Sequence, residues 1–152
     1  MRKSHIYWFI GQPSSGKTTL ATYLYNYFKK TEDKVFHIDG DQIRNQHKNF
    51  DYSKAGRMFN IWKAQEMAKY YYDNNYIVIV SLVTPFLKIR EEFKTSFKND
   101  ITEIFMHTTK SRERDKYHVN NFELPKINFI DIDTTIDTPM ESFKKLLKSI
   151  KS

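Results

Sequence analysis

The stretch GQPSSGKTT, Gly11 to Thr19, decides the fold. It follows the apolar run HIYWFI, His5 to Ile10, and precedes LATYLYNYF, which reads as a helix from Lys17 to Lys30. Gly11, Gly16, Lys17 and Thr18 fit G-x-x-x-x-G-K-[ST] between a strand and a helix, the context in which that pattern forms a phosphate-binding loop. In such a loop the backbone N–H groups from Gly11 through Ser14, Ser15 and Gly16 to Thr19 face the phosphates, helped by the helix N-terminus. Lys17 adds a point charge at the β/γ side and the Thr18 hydroxyl ligates Mg²⁺. The alternative, an ordinary glycine turn opening a helix, explains neither the full pattern nor its flanks. The expectation is a chain that binds a nucleoside triphosphate.

Strand and helix signals alternate downstream of the loop. KVFHID, Lys34 to Asp39, reads as a second strand. Met58, Ile61, Trp62, Ala68 and Tyr72 recur at three- and four-residue steps and place a long helix over Ser53 to Asn74. YIVIVSLV, Tyr76 to Val83, is the continuous apolar run of a strand buried on both faces and should be central. After Pro85 comes a helix through about Phe97, then a strand from Thr102 to His107, a polar segment from Thr108 to Lys126 and a last strand from Ile127 to Ile132. Thr138-Pro139-Met140-Glu141 fits a capping box with proline at the first helical position, opening a final helix through Ile150. This order predicts an α/β fold, three layers with a central parallel sheet of about five strands, as a single domain over residues 1–152.

Composition limits the setting. With 39% hydrophobic residues in 152, the chain can bury a core of one domain, and with no cysteine it can form neither a disulfide framework nor a thiolate metal site. The expected location is cytoplasmic, with no membrane partner, because no apolar run approaches the roughly 20 residues that cross a bilayer. The net charge of +7 suits anionic partners, nucleotides first and nucleic acid as well; a merely Lys-rich surface would give the same charge. His37 and His107 fall in strands and read as structural, and the five histidines form no metal-ligand spacing. Phe93 and Phe97, four apart on a helix, read as core.

The second strand ends in HIDGDQIR, which puts Asp39 and Asp41 at the carboxyl edge of the sheet beside the phosphate loop. A carboxylate there can hold Mg²⁺ or accept a proton from an attacking hydroxyl. Asp is also favoured where a helix begins, so capping of the following helix stands as the alternative.

With DGDQIR between GQPSSGKTT and YSKAGRMFNI, and VTPFLKIRE further on, the chain resembles adenylylsulfate kinases, whose pattern reads approximately DGDNIR, FSxxDRxxNIRR and ISPYRxxRD. The order and spacing hold from Tyr7 to about Glu92, and Asp133-Thr134 with Thr138-Pro139 resembles the family's ending. The resemblance implies an ATP-dependent kinase that phosphorylates the 3′-hydroxyl of adenylylsulfate, a step of sulfate assimilation, often as a homodimer. It implies that Asp41 aligns or deprotonates that hydroxyl, with Lys17 beside it in the catalytic set, and that Asp39, Arg44, Arg57 and Asn60 belong to the substrate-binding set. Tyr52 takes the place of an aromatic residue that stacks on the base. Val83, Thr84, Pro85 and Phe86 fall on the segment that borders the substrate pocket, and Arg90 matches the second arginine after it. Arg114 and Asp115 resemble the pair that begins a mobile lid, where the arginine lies by the nucleotide base.

The departures from the pattern bear on the acceptor. Pro13 and Ser14 stand where the family commonly has Ser and Gly, Trp62 and Lys63 replace an R-R pair, and Leu87 replaces an arginine. The stretch DKYHVNNFELPK is much shorter than the family's lid, with Asn121-Phe122 as its remnant. A shorter lid excludes water less completely and admits a different acceptor. Two further readings follow: a kinase acting on another nucleoside diphosphate derivative or a hydroxymethylated base in DNA, and a nucleotide-binding module that transfers nothing.

Overall fold

The protein is described by a computed structural model covering residues 3–110 and 118–151. Five parallel strands form one sheet in the order β2-β3-β1-β4-β5: β1 (His5–Ile10), β2 (Val35–Asp39), β3 (Ile77–Ser81), β4 (Ile101–His107) and β5 (Phe129–Asp133). Five helices cover it: α1 (Lys17–Lys29), α2 (Gly40–His47), α3 (Lys54–Asp73), α4 (Leu87–Phe97) and α5 (Pro139–Lys151). This is the α/β architecture, a parallel sheet covered by helices, that the alternation of strand and helix signals predicts.

The two-residue period of β1 sorts its side chains between two cores. Tyr7 and Phe9 pack with Leu20, Leu24 and Phe28 of α1 and with Phe143 and Leu146 of α5. Ile6, Trp8 and Ile10 pack on the opposite face with Ile61, Ala64 and Ala68 of α3. The run in β3 divides the same way, Ile77 and Ile79 to the first core, Val78 and Val80 to the second. β3 is therefore interior as expected, although the middle strand is β1.

The element boundaries differ from the sequence expectation where a polar backbone contact intervenes. β5 begins at Phe129 rather than Ile127, because Asn128 adopts a positive φ of 51° and the Ile127 carbonyl accepts from Lys94 Nζ at 2.9 Å. β3 stops at Ser81, and Leu82 to Pro85 leave the sheet to form a wall. Leu82 N still donates to Phe9 O at 3.2 Å, and Gly11 N to Val83 O at 3.3 Å, so this wall stays beside the phosphate loop. The capping box at α5 is present in both directions: Thr138 N donates to Glu141 Oε1 at 2.8 Å and Glu141 N to Thr138 Oγ1 at 3.2 Å.

Just past β5, buried Thr134 fastens the sheet to the loop, its hydroxyl lying 3.0 Å from Ser15 O and 3.2 Å from His107 O. Thr134→Val keeps the shape and leaves a buried carbonyl without its donor. Urea unfolding should show a loss of about 1–3 kcal/mol, the cost of such an orphaned group; an unchanged midpoint would show that this bond does not anchor the loop.

Candidate active site

Parallel strands send their carboxyl ends to one edge, and a cleft of about 450 Å³ opens there. One side is the phosphate loop. Gly11 approaches β4 so closely that a Cβ at its φ of 148° would lie 2.3 Å from Met106 O, so no larger residue fits. Gly16 is the residue before α1, in the left-handed region at φ 99°; no side chain caps α1 and no acidic residue sits in its first turn. The helix thus offers its N–H groups and positive dipole end to the cleft. Ser14, Gly16, Lys17, Thr18 and Thr19 line the opening, while Ser15 is buried behind them. Lys17 folds back on the loop, Nζ donating to Gln12 O at 2.9 Å.

The floor comes from β2 and β3. Asp39 occupies the N-cap position of α2 but makes no side-chain cap bond. Its Oδ1 instead accepts from Thr18 Oγ1 at 3.3 Å and from Ser81 Oγ at 3.0 Å. Thr18 and Asp39 are thereby brought together as a hydroxyl and a carboxylate, a hard oxygen pair suited to Mg²⁺. Ser81 in turn lies 2.8 Å from His37 Nε2, and burial holds the His37 pKa below its ordinary value. A neutral His37 donating to Ser81 leaves the Ser81 proton directed at Asp39. Asp41, in the first turn of α2, lines the same cleft. Sequence reasoning missed Ser81; its signal was a lone polar residue closing an apolar strand, in register with Asp39.

The far side is built by α2, α3 and the loop between them. Arg44 and Arg57 are buried at 7% and 9% exposure and line the cleft. Arg44 Nη1 donates to the carbonyls of Asn49 and Asp51 at 3.1 and 2.9 Å, and Arg57 Nε to the carbonyl of Tyr52 at 3.1 Å. Both guanidinium groups pack over the Tyr52 ring, 4.2 and 5.5 Å from its centroid. Burial lowers both arginine pKa values, and Arg44 lowers that of Arg57 further by like-charge repulsion. Such groups remain charged, so the pair is a concentrated positive field. Asn60 donates to Gly40 O at 3.3 Å, while its buried Oδ1 has no hydrogen-bond partner and is available to a ligand donor.

Val83, Thr84 and Pro85 complete the wall. Phe86 and Arg90 do not reach the cleft. Phe86 packs against the second core, and Arg90 lies beneath the wall, Nη1 donating to Thr84 O at 2.8 Å and Nε 3.3 Å from Glu103 Oε2. Arg114 and Asp115 lie outside the described residues. Among the described residues no cluster of three or more His, Cys, Asp or Glu side chains could hold a metal, and no helix is long and apolar enough to cross a membrane.

The arginine-bearing loop is seated on Gly56. Asn49 Nδ2 donates to Gly56 O at 2.9 Å, Gly56 N to the Ser53 hydroxyl at 3.4 Å, and a Cβ at Gly56 would lie 2.0 Å from Asp51 O. Gly56→Ala must displace this backbone, and with it the carbonyls that aim Arg44. Denaturant unfolding should show about 1–3 kcal/mol lost to overpacking; wild-type stability in this variant would mean that the loop yields freely and does not fix the arginines.

The adenylylsulphate kinase family model matches residues 3–142. An adenylyl-sulfate kinase of Thermodesulfovibrio yellowstonii is 31% identical, covering 98% of this chain and 84% of its own length. A cytidine diphosphoramidate kinase of Campylobacter jejuni is 27% identical over 89% of this chain and 81% of its own length. Among solved structures, the Mycobacterium tuberculosis APS kinase in complex with AMPPNP and APS superposes with a TM-score of 0.82 at 18% identity, covering 100% of both chains; that likeness shows the fold. The family match, the close relative and the shared fold agree: the chain belongs to the adenylylsulfate kinase family and is a phosphotransferase of the P-loop kinase class.

Proposed function

We propose that the protein transfers the γ-phosphoryl group of ATP to the 3′-hydroxyl of adenylylsulfate. The observation that carries this reading is the cleft itself, where an uncapped helix end with Lys17 faces a paired-arginine wall across Asp39 and Asp41. The phosphate loop fits the triphosphate, its left-handed Gly16 and the helix end that no side chain caps supplying backbone donors. Thr18 and Asp39 would hold Mg²⁺, and Asp41, which lines the same cleft, would share that role. When bound, Mg²⁺ supplies positive charge against the phosphoryl oxygens.

The chain's own residues then act by placement. Lys17 and the loop amides stabilise the charge that develops on the transferred group, while Arg44, Arg57 and Asn60 hold the acceptor in line with it. Asp41 takes the hydroxyl proton or orients it. Val83, Thr84 and Pro85 exclude water from the acceptor side. Nothing in this scheme needs a covalent enzyme intermediate.

A second acceptor has specific support. Trp62, 56% exposed, and Leu87, at the start of α4, stand where the family pattern has arginines, and the Phe122 ring stacks on Phe105 at 5.8 Å instead of entering the cleft. Among the described residues, the loss of these two arginines and the placement of Phe122 away from the cleft relax the demand for an adenylyl group and a sulfate. A pyrimidine nucleotide-linked alcohol, as the name of the Campylobacter relative implies for that enzyme, suits such a cleft.

The test is ATP-dependent phosphorylation of adenylylsulfate by the purified protein with Mg²⁺, following the phosphorylated product. Saturable conversion that falls at least about a hundredfold in Asp41→Asn, the scale of a lost general base, is the expected result. Lys17→Ala should impair turnover with every acceptor. ATP binding without conversion of adenylylsulfate, together with turnover of cytidine diphosphoramidate, would transfer the assignment to the second acceptor.

A further inference from the structure

Two residues that line the cleft adopt left-handed backbone without being glycine: Ser14 at φ 70° and Thr84 at φ 48°. The first is in the phosphate loop and the second in the acceptor wall. For a residue with a Cβ this conformation is strained, more so for a β-branched one, so each needs neighbours that hold it. One segment, His118 to Glu123, supplies them at both ends.

At the phosphate loop, the Gln12 amide pairs with the backbone of Val119 in both directions. Nε2 donates to Val119 O at 2.7 Å, and Oε1 accepts from Val119 N at 2.8 Å, as a neighbouring strand would. His118 Nε2 donates to Pro13 O at 3.1 Å, directly before Ser14. At the acceptor wall, Glu123 N donates to Pro85 O at 3.0 Å, directly after Thr84. The Glu123 carboxylate accepts from Leu87 N at 2.9 Å and so caps α4, which has no acidic residue in its own first turn. Glu123 O accepts from Arg90 Nη2 at 2.5 Å, and the same guanidinium holds Thr84 O. Between the two ends Phe122 is packed against Phe105 and lies 5.5 Å below the Arg90 guanidinium.

We propose that Gln12 and Glu123 are positioning residues which fasten His118–Glu123 as a strap across the two halves of the cleft, fixing phosphate loop and acceptor wall in one register. This rests on the kinase reading above and deepens it. The loop and the wall belong to different strand ends, and in-line transfer depends on their relative position to within about 1 Å. A strap bonded to both keeps that distance when either substrate binds.

The distinguishing property is action at the far end. Glu123→Ala removes the α4 cap, yet it should weaken binding of AMPPNP, seated at the other end of the strap, about fivefold or more by calorimetry. Gln12→Met should raise the KM for the acceptor and lower kcat about tenfold. Because freeing either end frees the strap, the double variant should lose little beyond the worse single variant in each measured quantity, not the product of the two single losses. Glu123→Gln keeps an oxygen for Leu87 N and should restore near wild-type behaviour. Thermal unfolding identifies which variants are folded. Unchanged AMPPNP affinity in folded Glu123→Ala, multiplicative losses in the double variant, or a Glu123→Gln protein as impaired as Glu123→Ala would each overturn the strap. A wild-type protein inactive on adenylylsulfate would instead overturn the acceptor assignment, leaving the AMPPNP measurement, which needs no acceptor, to decide the strap.

Discussion

The burial of β1 on both faces is the constraint on which the rest of the molecule depends. A strand with Ile6, Trp8 and Ile10 in one core and Tyr7 and Phe9 in the other requires helices above and below. Helical crossovers in turn make every strand parallel. Parallel strands then deliver Gly11, Asp39, Ser81 and Thr134 to a single edge from four different segments. A slip of one residue in the pairing of β2 with β3 would separate Asp39 from Ser81 and send the apolar set to the wrong face. The same packing that fills the core therefore sets the distances in the cleft.

The periodic and punctuated parts of the sequence were legible for that reason. The phosphate loop, the buried strand at Ile77, the long helix and the Thr138 capping box each announce themselves within a window of a few residues. The β5 boundary did not, because Asn128 and the Lys94 contact with Ile127 are tertiary facts. Arg44, Arg57 and Asn60 were singled out by resemblance and are gathered in the cleft, whereas Arg90, singled out in the same way, lies beneath it. Spacing along a helix states that an arginine faces the sheet; it does not state whether the guanidinium ends in the cleft or one layer below. Gln12 gave no sequence signal, since its partner is a backbone more than a hundred residues away.

Charge on the arginine side of the cleft is arranged by carbonyls. The groups shown holding Arg44 and Arg57 are the carbonyl oxygens of Asn49, Asp51 and Tyr52, which orient a guanidinium without neutralising it. The Tyr52 ring adds attraction at its face and keeps the two like charges on a common support. Repulsion between them is a cost that, under the proposed function, an anionic acceptor would relieve on binding. The fixed loop below, seated on Gly56, keeps the arginines from swinging into solvent to relieve it themselves.

Beneath the wall the arrangement is opposite, with Arg90 and Lys94 set against buried Glu103 at 3.3 and 3.1 Å. Burial pushes the Glu103 pKa up, and Lys94 and Arg90 act against that rise. An apolar replacement of such a pair is often no less stable, so stability alone does not account for it. Geometry does: one planar guanidinium reaches the carbonyls of Thr84 and Glu123 from a fixed point on α4. Trp8 Nε1 donates to the Thr84 hydroxyl at 2.9 Å from the other direction, and that hydroxyl donates to Leu82 O at 2.9 Å. Thr84 is thus held by backbone and side chain at once, which is what a β-branched residue at positive φ requires. The ionic network serves as the footing of the Leu82–Pro85 wall, and its value lies in where it puts Thr84.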